Sequence, residues 1–276
     1  MADLSHFEEA TAAVQHSPHA VSAWNEAEGL AAELDKPDAI AALYTQTLAG
    51  QLEPHVAEMI GERAGSFCDE WFGDEPAVLE KILSRVLQLA PLSEGALQRL
   101  SVIYTVAERW KDLLALYDRA IDAAGKDAGR RTRLLREAAQ LAKDVANQPG
   151  RAIAYYQRLL PLVPDDVQVI QGLVRLLERH ERWAELISLW EGRLEGQSKK
   201  EREKSRARIA ACWLDNLHDP QNALAAAKPL LVEAEDDHES CALLERIIEA
   251  KEATKGVRDA ALDLLRSHYD LTNRPR

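Results

Sequence analysis

Two clusters of basic side chains are the residues in this sequence best suited to binding chemistry. Guanidinium and ammonium groups bind carboxylates through charge-assisted hydrogen bonds, so the clusters predict contact with an acidic side chain or a C-terminal carboxylate. The alternative is a solvated face, because Glu201 and Glu203 are interleaved with the second cluster. The first cluster is Lys126, Arg130, Arg131, Arg133 and Arg136, and the second is Lys199, Lys200, Arg202, Lys204 and Arg206, followed in the same helix by Arg208.

Chemistry other than ion pairing has little support in the sequence. No phosphate-binding glycine loop, HExxH pair or GxSxG nucleophile motif occurs, and the eight histidines are scattered. We therefore predict a non-enzymatic protein with no catalytic, cofactor-binding or metal site.

An internal repeat indicates which elements position the two clusters. The stretches 18–44, 91–117 and 164–190 align without a gap at successive offsets of 73 residues. Each stretch begins with a proline and ends with an aromatic residue. A fixed period of this size is typical of a solenoid, in which each unit packs only on its neighbours.

Each of these stretches predicts two helices. Apolar residues recur at i, i+3, i+4 and i+7, which is the spacing of an amphipathic helix. The pattern breaks at 34–37, 107–110 and 180–183. The breaks predict helices of roughly 14 residues joined by a tight turn, which is an αα-hairpin.

A second kind of hairpin lies between the stretches, and both basic clusters open its first helix. Positive charge at that end opposes the helix dipole, so it has no obvious role in helix stability. Cys68 and Cys212 share one apolar position of the first helix, which predicts buried thiols. Pro76, Pro149 and Pro220 predict the start of the second helix. Its predicted buried positions are Leu79, Ala152, Ala223, Leu83, Tyr156, Ala227, Leu87, Leu160 and Leu231.

Together the hairpins predict an all-α fold. We expect a right-handed α-solenoid, or superhelix, of stacked antiparallel helix hairpins with a 73-residue double-hairpin period. One domain is expected over residues 1–276. Its segments are a partial hairpin at 4–17 and hairpins at 18–50, 55–90, 91–124, 128–163, 164–195, 199–234 and 235–270.

The segment 149–164 resembles the second half of a tetratricopeptide repeat (TPR). Ala152, Tyr156, Leu160 and Pro164 stand at the intervals of that family's pattern. The resemblance implies a protein-interaction scaffold whose first helices line a concave groove that binds a protein or peptide. The chain departs from the family pattern in its first helices, so half-a-TPR and armadillo-type solenoids stay open. In place of the usual glycine or alanine at the tight helix crossing stand Glu28, Ser101 and Val174.

The net charge of −12 is unevenly distributed along the chain. Residues 1–90 hold 16 Asp and Glu against 4 Lys and Arg, which argues against nucleic acid and anionic lipid as partners. Three cysteines without a CxxC motif favour a reducing compartment. No signal peptide or membrane-spanning apolar run is recognisable, so we expect a cytoplasmic protein. The alanine-rich, arginine-rich composition resembles that of bacterial proteins.

Two functions fit these observations. The first is a scaffold that binds an acidic protein or peptide on its concave face through the basic clusters. The second is a structural spacer segment of a larger helical-repeat array. In that case the chain self-associates end to end, with the acidic first third pairing with the basic clusters in a salt-sensitive manner.

Overall fold

The computed structural model describes residues 4–73, 75–233 and 237–272, and every regular element within them is a helix. The predicted all-α fold class is therefore confirmed. The chain forms two compact units, Met1–Val169 and Ile170–Arg276. The grouping of all hairpins in one domain and the right-handed superhelix stay predictions.

The first unit consists of antiparallel helix pairs. Within it, α2 packs on α3, α4 on α5, α6 on α7 and α8 on α9. First helices also pack on first helices, as α4 does on α6, and second helices on second helices, as α3 does on α5. Its helices are α1 (Leu4–His16), α2 (Val21–Glu33), α3 (Pro37–Ala49), α4 (Pro54–Trp71), α5 (Pro76–Leu89), α6 (Glu94–Val106), α7 (Trp110–Ala123), α8 (Ala128–Gln140) and α9 (Pro149–Leu159).

The second unit repeats the same plan. Here α12 packs on α13 and α15 on α16, while α12 also packs on α15 and α13 on α16. One helix, α10 (Val167–Arg179), begins just before the boundary between the units. The others are α11 (Trp183–Glu191), α12 (Lys199–Asp215), α13 (Pro220–Ala227), α14 (Leu230–Glu233), α15 (Asp237–Glu249) and α16 (Lys255–Thr272).

The tight turns between paired helices share one backbone conformation. Asp35, Glu108 and Glu181 have φ values of 52°, 53° and 54°, in the left-handed region that non-glycine residues rarely adopt. In each turn the next residue's N–H donates to the carbonyl five residues earlier, for example Arg109 to Tyr104 at 2.8 Å. This is the Schellman arrangement that satisfies the last carbonyls of a helix. The three breaks predicted from the sequence are confirmed.

The predicted prolines begin the second helices of the other hairpins. Pro76, Pro149 and Pro220 are the first residues of α5, α9 and α13. The preceding turns contain Asn147 and His218 at φ values of 47° and 52°. Proline fits there because the first helical N–H has no intrahelical acceptor and the φ angle is already suitable.

The core follows most of the predicted apolar positions. Trp24 is fully buried and stacks on Tyr44 with ring centroids 4.6 Å apart. Cys68 and Cys212 are buried as predicted, and burial raises the pKa of Cys68 to about 11. The positions Leu87, Leu160 and Leu231 are only half-buried, because the core-facing side of each chain segment runs through the preceding residue, namely Val86, Leu159 and Leu230. The prediction that these three leucines form part of the buried face is therefore wrong.

The buried tyrosine of α9 lies one residue before the predicted position. Tyr155 is the buried side chain of α9, at 2% exposure, whereas Tyr156 is half-buried. The Tyr155 hydroxyl donates to Asp118 at 2.9 Å and accepts from Arg151 at 2.7 Å. These hydrogen bonds satisfy the hydroxyl, which allows the whole tyrosine to be buried.

Candidate ligand groove

The second basic cluster lies on α12, and local capping explains why this helix begins beside so much positive charge. Ser198 Oγ accepts a hydrogen bond from the Glu201 N–H at 3.4 Å, and the Glu201 carboxylate accepts from the Ser198 N–H at 3.1 Å. This capping box satisfies two N–H groups that the helix itself leaves unpaired. The hydrogen bonds from Ser198 also lower the pKa of Glu201. A carboxylate in the first turn offsets the unfavourable effect of Lys199 and Lys200 on the helix dipole.

A groove of about 430 Å³ runs between α12 and α15. Both are first helices of their hairpins, so the groove lies on the face where first helices adjoin. Three alanines and a leucine form its floor, and charged side chains form its rim. The floor is Ala207, Ala211, Ala242 and Leu243, and the rim is Lys204, Arg208, Glu239 and Arg246.

The rim of the α12/α15 groove has an excess of positive charge. Lys204 and Arg208 are exposed and stand one helical turn apart on α12. Within the described part of the chain, no ion pair is recorded for either of them. Arg246 lies across the groove and donates to Asp215. A carboxylate entering the groove would therefore meet two cationic side chains that form no ion pair with the described carboxylates.

Only Lys204 of the ten predicted site residues lines the α12/α15 groove. Lys199 is 4.0 Å from Glu203, and Lys200 is exposed on the first turn of α12. Arg202 and Arg206 are half-buried and have partners of their own. The candidate groove therefore lies on the helix that carries the second cluster, but only one side of that helix lines it.

The first cluster links neighbouring hairpins. Arg130 donates to the carbonyl of Leu92, and both Arg130 and Arg133 donate to the carboxylate of Glu94. The hydrogen bond from Arg133 lowers the pKa of Glu94. These contacts hold the start of α8 against the start of α6, so both arginines already have carboxylate partners within the first unit.

The remaining members of the first cluster are dispersed. Arg136 donates to Asp166 at 2.8 Å, and this hydrogen bond lowers the pKa of the aspartate. Arg131 is half-buried on α8, and Lys126 is exposed in the turn before that helix. The structure therefore does not bring the first cluster together as one binding surface.

Arg246 and Arg208 are not among the ten predicted site residues, although Arg208 ends the second basic cluster in the sequence. Arg208 continues the basic pattern of α12 by one turn, so the helical spacing from Lys204 already contained the signal. Arg246 belongs to another hairpin, and no local motif connects it with α12.

Other kinds of site have no support in the described residues. No group of three or more His, Cys, Asp or Glu side chains there is placed to hold a metal ion. None of the described helices is both long enough and apolar enough to cross a bilayer.

Comparison with known proteins identifies helical-repeat structures at low identity. No protein-family model matches the chain, and no curated protein matches it. The C-terminal part of a TPR repeat-containing protein from Cytophaga hutchinsonii is 12% identical, with 94% of this chain and 93% of that chain covered and a TM-score of 0.37. A tetratricopeptide repeat protein from Parabacteroides merdae is 15% identical, with 89% and 92% covered and a TM-score of 0.30.

A third solved structure, of kinesin light chain TPR-like repeats from Podosopora anserina, is 14% identical. It covers 66% of this chain and 96% of its own, with a TM-score of 0.31. All three TM-scores are below 0.5, so the fold assignment rests on the helix order and packing of the chain itself and not on these matches.

Proposed function

We propose that this TPR-like helical-repeat protein is a non-enzymatic interaction scaffold that binds an acidic segment of a protein or peptide. The binding site is the α12/α15 groove. The observation that carries the proposal is the placement of Lys204 and Arg208 side by side above an alanine floor. Small floor residues admit an extended backbone, while the two cations select carboxylate side chains.

Local geometry, and not overall charge, accounts for this preference. The whole chain carries a net charge of −12, so an acidic segment is repelled at long range. Binding then depends on close contact with the groove, where Arg208 offers a planar guanidinium that can hold a carboxylate in a bidentate manner. The affinity should fall as salt is raised, because the cations are exposed.

The test uses the full chain and a fluorescein-labelled peptide of alternating glycine and glutamate, with binding followed by fluorescence anisotropy. We expect Lys204→Gln and Arg208→Gln each to weaken binding about two- to fivefold, and the double variant about tenfold. The control is the double variant Lys200→Gln/Lys228→Gln, which removes the same charge from exposed positions outside the groove. Equal losses in both double variants would mean that only net charge matters and would refute the groove.

A spacer function is the second candidate, and exposed apolar side chains on α16 favour it. Leu262 and Tyr269 are 39% and 49% exposed and lie two turns apart on one side of that helix. Light scattering at low and high salt distinguishes the two functions. Concentration-dependent self-association that Leu262→Lys abolishes supports the spacer, whereas a monomer at both salt concentrations contradicts it.

A further inference from the structure

A second groove, in the first unit, has the opposite chemistry. It lies between α2 and α4 and has a volume of about 470 Å³, within the range of small-ligand pockets. Gly29 lines this groove and faces open space, because an added Cβ at that position would meet no atom within 4 Å. Phe67 and Trp71 form an aromatic wall, with ring centroids 6.2 Å apart. Glu70 stands beside this wall.

The one arginine in the α2/α4 groove is already neutralised. Arg63 binds both carboxylate oxygens of Glu28, at 3.2 and 2.7 Å, and also donates to Asn25 at 2.7 Å. Tyr44 donates its hydroxyl to the same glutamate. Both partners of the ion pair are half-buried, so the pair forms a fixed part of the groove wall.

The lining of the α2/α4 groove holds two carboxylates, Glu28 and Glu70, and one guanidinium, Arg63, within two acidic helices. The two helices that form it contain one arginine against seven carboxylates. Of these seven, Glu28 binds Arg63, Asp69 binds Arg99 and Glu26 contacts His6. No ion pair is recorded for Glu70 within the described residues. The seven are Glu26, Glu28, Glu33, Glu58, Glu62, Asp69 and Glu70.

We propose that the α2/α4 groove binds a lysine or arginine side chain presented by a basic segment of a partner protein. The cation lies against the ring of Trp71, where the negative face of the π-system attracts it, and pairs with Glu70. The aliphatic part of the same side chain packs along Phe67 and Ala32. The surrounding carboxylates draw a basic segment to this surface and repel an acidic one.

This inference does not depend on the α12/α15 groove. The two grooves belong to different units and select opposite charges, so either proposal can fail while the other holds. A second copy of this chain would compete with a basic partner for the α2/α4 groove, because it presents the exposed lysines of α12.

The test measures binding of a fluorescein-labelled peptide of alternating glycine and lysine to the full chain by anisotropy. Because the whole chain is acidic, the decisive variant changes the shape of the groove without changing its charge. Gly29→Leu should fill the groove and weaken binding more than tenfold. Its control is Gly95→Leu, another exposed helical glycine whose Cβ meets no atom within 4 Å.

Two further variants separate the aromatic and ionic contributions. Trp71→Leu and Glu70→Gln should each weaken binding about two- to fivefold. The control Glu9→Gln removes one exposed carboxylate from α1, outside the groove, and should leave binding within error. Circular dichroism spectra that match those of the unmodified chain confirm that each variant is folded.

The remaining outcomes overturn the proposal. If Gly29→Leu and Gly95→Leu bind the lysine peptide equally well, the attraction is a diffuse charge effect and the groove is not a site. If light scattering shows that the unmodified chain dimerises at low salt and that Gly29→Leu abolishes the dimer, the occupant is a second copy and not a separate partner.

Discussion

Two helical glycines in the first unit allow the packing of α4 on α5 to be tested by a single methyl group. Gly61 is buried in α4, and an alanine Cβ there would lie 3.0 and 3.2 Å from the two γ-methyl groups of Val86. These distances are shorter than ordinary carbon contacts, which are about 3.5–4.0 Å. Gly29 lies in the middle of α2 with no atom near its Cβ position.

The two substitutions should change the free energy of unfolding in opposite directions. Glycine in a helix interior is about 0.8–1 kcal/mol less favourable than alanine, so Gly29→Ala should stabilise the protein by nearly that amount. Gly61→Ala has the same gain, but overpacking against fully buried Val86 costs about 1–3 kcal/mol. The net effect of Gly61→Ala is therefore a loss of up to about 2 kcal/mol.

Urea unfolding followed by far-UV circular dichroism measures both free energies, and a double variant tests the cause. Because Val86→Ala removes the methyl groups that the new Cβ meets, Gly61→Ala should be less harmful when combined with it, with a coupling of about 0.5–3 kcal/mol. The reasoning is refuted if Gly61→Ala stabilises the chain as much as Gly29→Ala does. Independent effects of Gly61→Ala and Val86→Ala would also refute it.

Two other substitutions examine a turn and an ion pair. Glu108→Gly should stabilise the chain by about 0.5–1 kcal/mol, because glycine adopts the positive φ at this position without steric cost. The control Ala107→Gly, at a φ of −81°, should destabilise the chain. Equal urea midpoints for the two variants would contradict this explanation. The hydrogen bond from Arg136 lowers the pKa of Asp166 in the folded state, so its contribution to stability is present above the unfolded pKa of about 3.9 and is lost as the pH falls through the folded value. Asp166→Asn should therefore lower the urea midpoint most near neutral pH and least in acid. A pH-independent loss for Asp166→Asn would contradict the ion pair.

Helix ends were predictable because their causes are local. Pro76, Pro149 and Pro220 start helices through their own ring geometry, and the turn at Glu108 depends on hydrogen bonds that span five residues. The apolar spacing then identified most of the core, including Trp24. Each of these features depends only on residues that lie close together in the sequence.

The candidate binding surfaces were less predictable because their members come from separate hairpins. Arg133 occupies a basic cluster in the sequence, yet its partner Glu94 lies 39 residues away. Arg246 meets α12 only after two hairpins have stacked. The buried hydroxyl of Tyr155 donates to Asp118, which lies on another helix and 37 residues away in the sequence. Periodicity identifies which side of a helix is apolar, but it does not identify long-range polar partners.

The shared conformation of the turn residues has a consequence for chain length. Asp35 and Glu108 occupy equivalent points of their turns, with φ values of 52° and 53°. A deletion of residues 36–108 would join Asp35 to Arg109, the residue that follows the same dihedral angle in the intact chain, and would place α7 where α3 stood. A duplication of residues 36–108 would likewise create a junction between two turns of the same conformation. The turn conformation is therefore compatible with the gain or loss of a whole double hairpin.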